Sequence, residues 1–212
     1  SNNPNLQNIP IKTEIGRETR SAFVPRKKGN LILAADYSQV ELRIMADFSG
    51  DKEMIKAFNK NKDIHTITAS KVFNIPIEEV DSSLRRKAKE VNFGIIYGIS
   101  PFGLSQNLNI SRAEAKEIID SYFEKFKDVK SYMHNVVIKA RENKYVETLL
   151  GRRRYLRDID SRNYTLRSFA ERNAINSPIQ GSAADIIKLS MIEISKWIKK
   201  VINYASPITI VS

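Results

Sequence analysis

No cysteine occurs among the 212 residues. That excludes a disulfide framework and any thiolate metal site, and it agrees with a reducing compartment. No apolar run approaches the roughly 20 residues that a membrane-spanning helix needs. The opening stretch, SNNPNLQNIP, has neither the charged n-region nor the apolar h-region of a secretory signal. It lacks an initiator Met and the last residues are apolar, so an internal piece of a longer protein is expected. Negative charge is in short supply: 24 Asp+Glu face 35 Lys+Arg, a net charge of +11. Such a balance favours a polyanionic partner, nucleic acid first and an anionic membrane surface second. With 42% hydrophobic residues the chain has material for a packed core, which argues against global disorder. Repeats, low-complexity tracts and obvious linkers are missing as well.

The pattern of what is present reads as α+β and helix-rich. Residues 1–30 are expected to be loops and short extended pieces, broken by Pro4, Pro10, Gly16, Pro25 and Gly29. Residues 31–35, LILAA, form a short apolar run that suits a buried strand ending at Asp36. From Val40 to Phe73 apolar residues recur at helical spacing. Ser111 and Glu114 have the spacing of a capping box, and helix is expected from there to about Lys144 with a break near Asp128. Residues 145–157 read as a hairpin turning at Gly151. Residues 163–200 read as helix interrupted at Ser177–Pro178 and Gly181, and 207–211 alternates like a strand.

Within this frame, residues 85–98, RRKAKEVNFGIIYG, set Arg85, Lys89, Phe93 and Tyr97 four apart. At about 3.6 residues per turn each step of four winds roughly 40°, so the four side chains make one ridge. Asp81, Ser82 or Ser83 can cap its start and Gly98 can close its end. Such a ridge serves as a solvated basic turn followed by core aromatics, or as a grip on a ligand with phosphates at one end and a flat base at the other. The helix alone does not decide between them. A second stretch, AADYSQVELR at 34–43, puts Asp36 at the end of the apolar run. There it serves either as a helix cap or as a ligand for a hard cation such as Mg2+.

Together these stretches resemble a known family. DYSQVELR (36–43) resembles motif A, and RRKAKEVNFGIIYG resembles motif B, of the family A DNA polymerases, the bacterial DNA polymerase I family. NPNLQNIP (3–10), KDIHTITA (62–69), YVETLLGRRRYL (145–156) and ERNAINSPIQGSAADIIK (171–188) are similar too, in order and without a large insertion. The resemblance implies template-directed DNA synthesis by two-metal nucleotidyl transfer. It implies a palm with an antiparallel sheet, incomplete here, and a helical fingers subdomain. Palm would occupy 1–45, fingers 46–166 and the returning palm segment 167–212.

By the same resemblance Asp36 is one of two metal-binding aspartates, assisted by the Tyr37 carbonyl, with Mg2+ the expected ion. Gln39 contacts the nucleotide, and Glu41 is a steric gate against the 2′-hydroxyl. Arg85, Lys89 and His65 hold the triphosphate, with Lys89 placed to protonate pyrophosphate. Phe93 packs against sugar and base, while Tyr97 sits at the template position and bonds toward Glu41. Arg172, Asn176 and Gln180 read the minor groove, and Arg152 and Arg153 contact duplex backbone. Asn176 is also expected to end a helix. Taken singly, His65 is an ordinary polar-face histidine and the arginine run a solvated turn. Tyr122, Phe123, Phe126 and Tyr132 read as helix packing, Trp197 as core or interface, and Asp158 and Asp160 as solvated loop carboxylates.

The implied partners are primer–template DNA and deoxynucleoside triphosphates. A monomer without membrane attachment, in a bacterial cytoplasm and associated with the nucleoid, is expected. The family's His-Asp-Glu motif, which carries the second metal-binding aspartate, should begin at about Ser212, and no thumb or exonuclease domain is recognised. These 212 residues alone are therefore expected to be nearly inactive. The alternative is a non-catalytic module from a degenerate polymerase that binds primer–template or nucleotide.

Overall fold

A computed structural model describes residues 13–25, 27, 29 and 36–202, with backbone alone at 201 and 202. Its elements are α1 (Glu14–Ser21), α2 (Val40–Ser49), α3 (Lys52–Asn59), α4 (Ile64–Phe73), a 3-10 turn at Ile77–Glu79, α5 (Ser82–Ile96), α6 (Pro101–Leu108), α7 (Arg112–Lys125), α8 (Lys127–Asn143), β1 (Tyr145–Glu147), β2 (Arg153–Tyr155) and α9 (Tyr164–Ile202). Helices thus dominate an α+β chain with one antiparallel hairpin among the described residues. The strands expected at 31–35 and 207–211 lie outside them. The chain forms two compact units, Gln39–Lys188 and the pair Ser1–Ser38 with Leu189–Ser212.

In the smaller unit α1 replaces part of the expected loop. Gly16 N–H donates to the Thr13 hydroxyl at 3.1 Å, Glu14 sits in the first turn and Arg20 in the last. A cap and two charges that suit the helix dipole outweigh the ~1 kcal/mol that one internal glycine costs. The Tyr37 and Ser190 hydroxyls share a hydrogen bond of 2.5 Å. Trp197 is 61% exposed and belongs to no core among the described residues.

The larger unit is built from capped helices. Asp51, Asp63, Asp81, Ser100 and Ser111 each accept a backbone N–H at a helix start, and Ser111 and Glu114 form the expected capping box. The main core joins Leu42 and Met45 of α2, Met54 of α3, Ile64 of α4 and Val91, Ile95 and Ile96 of α5. Leu104 of α6, Tyr122 of α7, Phe126, and Ile179 of α9 complete it. The Tyr122 and Phe126 rings lie 4.8 Å apart, the Phe48 and Tyr132 rings 5.9 Å, so these aromatics do pack helices. The break between α7 and α8 falls at Phe126, where the chain turns at φ −117° with the ring fully buried. Burying that ring is worth about 1.5–3 kcal/mol and sets the break two residues before Asp128.

A smaller core of Ala140, Val146, Leu156, Ile159, Ala170 and Ala174 seats the hairpin between α8 and α9. Tyr145 faces Tyr155 and Glu147 faces Arg153, with Gly151 in the turn at φ +77° as expected. Asp158 and Asp160 are exposed, and Asp160 pairs with Lys144, which ends α8 in a left-handed conformation.

α9 departs from the expectation. It runs unbroken through Pro178 and Gly181, so Asn176 does not end a helix. An internal proline costs about 3 kcal/mol. Here that cost is offset by burial of Ala174, Ile175, Pro178, Ile179 and Ala183, and Ser182 donates its hydroxyl to the Pro178 carbonyl at 2.5 Å. Gly181 marks a close approach. A Cβ there would lie 2.4 Å from Thr148 Cγ2, so only glycine lets the helix meet the hairpin's tip.

Candidate active site

The ridge forms as its spacing predicts. Asp81 caps α5 by accepting from Leu84 N–H at 2.7 Å. At the other end Gly98 adopts φ +65°, Gly98 N–H reaches Ile95 O at 2.9 Å and Ile99 N–H reaches Gly94 O at 2.8 Å, a Schellman closure. The side chain of Ile99 folds against Gly94 and Gly103, so close that a Cβ on either would stand 2.9 or 3.0 Å away. Along the ridge Arg85 and Lys89 are exposed, Phe93 is half-buried and Tyr97 is exposed. Lys89 Nζ stands 6.0 Å over the Phe93 ring, and the Phe93 and Tyr97 rings stack at 6.3 Å.

α4 brings His65 to this ridge, with its ring 5.9 Å from Phe93. Asp63, the cap of α4, accepts from His65 N–H at 3.0 Å and from the Thr66 hydroxyl at 3.0 Å, and it pairs with Arg85 Nε. Burial alone pushes the Asp63 carboxyl up. The bonds from Arg85, Thr66 and the His65 amide outweigh this and hold it below the usual range. Beneath His65, Asn92 and Thr68 are fully buried and bonded to each other at 3.1 Å. The His65 pKa falls to about 4, chiefly through burial, with Arg85 and Lys89 adding to the fall and Asp63 opposing it.

At the aromatic end, Tyr97 donates its hydroxyl to Glu41 Oε2 at 2.8 Å. Gln180 also bonds to that hydroxyl, so α2, α5 and α9 meet at one phenol. Burial, then the Glu41 contact, push the Tyr97 pKa up to about 12, so the phenol is a proton donor at any working pH. Gln39 precedes α2 in a left-handed conformation, φ 56° and ψ 41°. On α9, Arg172 is exposed against Gly98, where a Cβ would meet its Cγ at 3.0 Å. Two buried oxygens, Asn176 Oδ1 and the Tyr122 hydroxyl, have no hydrogen-bond partner among the described residues.

The arginine run is divided. Arg152 is tied to Asp185 at 3.0 Å, and it donates to the Gly181 carbonyl at 3.1 Å. Arg153 pairs with Glu147 at 2.7 Å and lies 4.4 Å over the Tyr145 ring. A cavity of about 300 Å³ lies elsewhere, between α3 and α4, lined by Glu53, Lys56, Lys60, Lys62 and Ile67. A second, of about 250 Å³, lies where the hairpin meets α9 and is lined by Arg152, Arg153, Arg154, Ser177, Gln180 and Gly181. Asp36 and Tyr37, both exposed, belong to the smaller unit.

The sequence motifs name the candidate site residues but not the groups that support them: Asp63, Thr68 and Asn92 under the ridge, Thr148 and Asp185 under the hairpin. Asp63 was legible as an N-cap before His65. The others carry no local signal, because their partners lie 24 to 37 residues away.

Cations and stacked rings thus share one ridge of α5, and a phenol joins that ridge to a carboxylate on α2. The model of DNA polymerase family A matches residues 1–210, and the chain belongs to that family. It is 58% identical over 200 residues to a DNA polymerase I of Bacillus caldotenax, covering 94% of this chain and 23% of that protein. It is 59% identical over 192 residues to a DNA polymerase I of Geobacillus stearothermophilus, covering 91% and 22%. The fold matches a solved POL domain of Pol1 from M. smegmatis, in complex with DNA primer-template and dNTP, at TM-score 0.84 and 50% identity. That match covers 93% of this chain and 35% of the other. The chain thus spans less than a quarter of the curated relatives it matches. Polymerases of this family are in general dependent on divalent metal. Among the described residues no three His, Cys, Asp or Glu side chains group as a metal site, and no helix is long and apolar enough to cross a membrane.

Proposed function

We propose that this chain supplies the fingers and part of the palm of a DNA-directed DNA polymerase, which adds deoxynucleotides to a primer 3′-hydroxyl. The observation that carries this reading is the ridge of Arg85, Lys89, Phe93 and Tyr97, joined at its aromatic end to Glu41. Arg85 and Lys89 bind the triphosphate, with His65 beside them, and Phe93 packs on sugar and base. Glu41, held by Tyr97, occupies the space that a 2′-hydroxyl would need, and Gln39 lines the approach to it. Lys89 gives its proton to the departing pyrophosphate. Arg172, Asn176 and Gln180 face the minor groove, whose acceptors are present on every base pair, and so read shape without reading sequence. Arg152 and Arg153 flank the duplex backbone, and the +11 charge adds sequence-independent grip.

Exposed Asp36, with the Tyr37 carbonyl, offers the oxygen donors that Mg2+ prefers. Mg2+ bound there would lower the cost of charge developing on the reacting oxygens. By the family's pattern the protein acts as a cytoplasmic monomer on nucleoid DNA. In the intact protein that carries this chain, metal-dependent primer extension is expected, and Asp36→Asn should abolish it while leaving primer–template affinity nearly unchanged. Intact protein that binds primer–template without extending it would overturn the reading in favour of a binding module.

A further inference from the structure

As a candidate phosphate ligand His65 is unusual, because the residue is 97% buried while the two cations beside it are exposed. A buried imidazolium next to Arg85 and Lys89 would be costly, with only Asp63 to oppose them. The polar group beneath the ring is neutral. The Asn92 side-chain nitrogen lies 3.1 Å from His65 Nδ1, and Asn92 itself is fully buried. Thr68 can serve either end of that amide, since its hydroxyl lies 3.1 Å from both Oδ1 and Nδ2. The amide's orientation and the ring's tautomer are linked. An amide N–H facing Nδ1 requires a lone pair there and puts the ring proton on Nε2. An amide oxygen in that place would put the proton on Nδ1 and leave a lone pair on Nε2, which repels an anion.

We infer that Asn92 is a positioning residue that holds His65 as the neutral Nε2–H tautomer. The ring then offers the nucleotide's phosphates one directional N–H donor and no third positive charge. The inference rests on the reading of His65 as a phosphate contact. Its consequence is a division of labour: Arg85 and Lys89 supply charge, His65 supplies direction, and the contribution of His65 stays constant across neutral pH. Asp63 steadies the arrangement from the other side by linking the His65 backbone to Arg85.

Two measurements on the intact protein test this. The first is 15N NMR with labelled histidine, where His65 is identified by the resonances that vanish in His65→Gln. A protonated Nε2 and a bare Nδ1, unchanged from about pH 6 to 8.5, is expected. An Nδ1–H tautomer, or a titration in that window, overturns the inference even if no variant of Asn92 folds. The second is nucleotide KM against pH for Asn92→Asp relative to wild type. A carboxylate beside Nδ1 draws a proton onto the ring, so the KM ratio should be smallest at low pH and rise at least about threefold as the ring loses that proton, with kcat within about twofold. A flat ratio overturns the role of Asn92. His65→Gln should raise KM about tenfold, the loss of one hydrogen bond to a charged group. An unchanged KM there would sink the phosphate contact itself, whichever tautomer the NMR shows.

Discussion

Two regions of the larger unit each pair a half-exposed arginine with an aspartate, yet the two pairs serve different ends. On the ridge, the Arg85 side chain is 46% exposed and its partner Asp63 is 33% exposed. Asp63 has a task of its own as the cap of α4, and would keep it without Arg85. On the hairpin, the Arg152 side chain is 54% exposed but Asp185 only 9%. Asp185 also accepts from the Thr148 hydroxyl at 2.7 Å, so it fastens the hairpin to α9. The burial of the partner carboxylate, more than that of the arginine, separates a pair that the fold can lose from one that also fastens it. Substitutions on the ridge should therefore change kinetics at constant stability, and substitutions in the hairpin seam should cost stability as well.

The largest expected effect is on the ridge. Under the proposed function Lys89→Ala would remove a proton donor and a phosphate contact, and single-turnover incorporation should slow by about 10²–10⁴-fold with the melting temperature nearly unchanged. Comparable losses of rate and stability would erase the contrast. In the seam, Gly181→Val drives carbon into Thr148 Cγ2, which its own hydroxyl bond to Asp185 holds in place. Denaturant unfolding should show a loss of about 1–3 kcal/mol from overpacking. Smaller again, Glu41→Ala should reduce discrimination against ribonucleotides about tenfold in competitive incorporation, the scale of a modest change in pocket shape.

Asp185→Asn should cost about 1 kcal/mol, a small effect because Arg152 is largely solvated. Its pH dependence has a definite sign. The Thr148 bond, and then Arg152, hold the Asp185 carboxyl below its ordinary 3.8. A depressed carboxylate contributes stability above the unfolded pKa and loses it as the pH falls through the folded one. The difference between wild type and Asp185→Asn should therefore be full at neutral pH and shrink below about pH 4. A difference that grows in acid would show that the carboxylate is not what holds the seam.

Local sequence logic carried much of this structure. Caps at Asp81 and Ser111, the hairpin turn at Gly151 and the ridge on α5 follow from short-range rules, and each formed as expected. The errors came where tertiary packing overrode a local signal. Pro178 and Gly181 look like breaks in isolation, but burial carries the helix through the first and a hairpin needs the second. Thr13 and two terminal charges made a helix of a stretch rich in breakers. The candidate site residues are named by the family's motifs, whereas Asn92 and Asp185 acquire meaning only from the partners that the fold brings to them.

The closure of α5 has a mechanical consequence. One end is clamped by the Schellman bonds and by Ile99 pressed between two glycines, while the other is held by a side-chain cap and a solvated ion pair. The Gly98 end is thus held by backbone bonds and packing, the Ser82 end by side chains alone. Arg85 lies thirteen residues from the clamp, about 20 Å along the axis at 1.5 Å per residue, and Tyr97 lies at the clamp itself. A tilt of about 10° would sweep the Arg85 end through about 3 Å and leave the phenol on Glu41 nearly still. Under the proposed function, the same rod would reach for one end of a nucleotide without losing its register on the other.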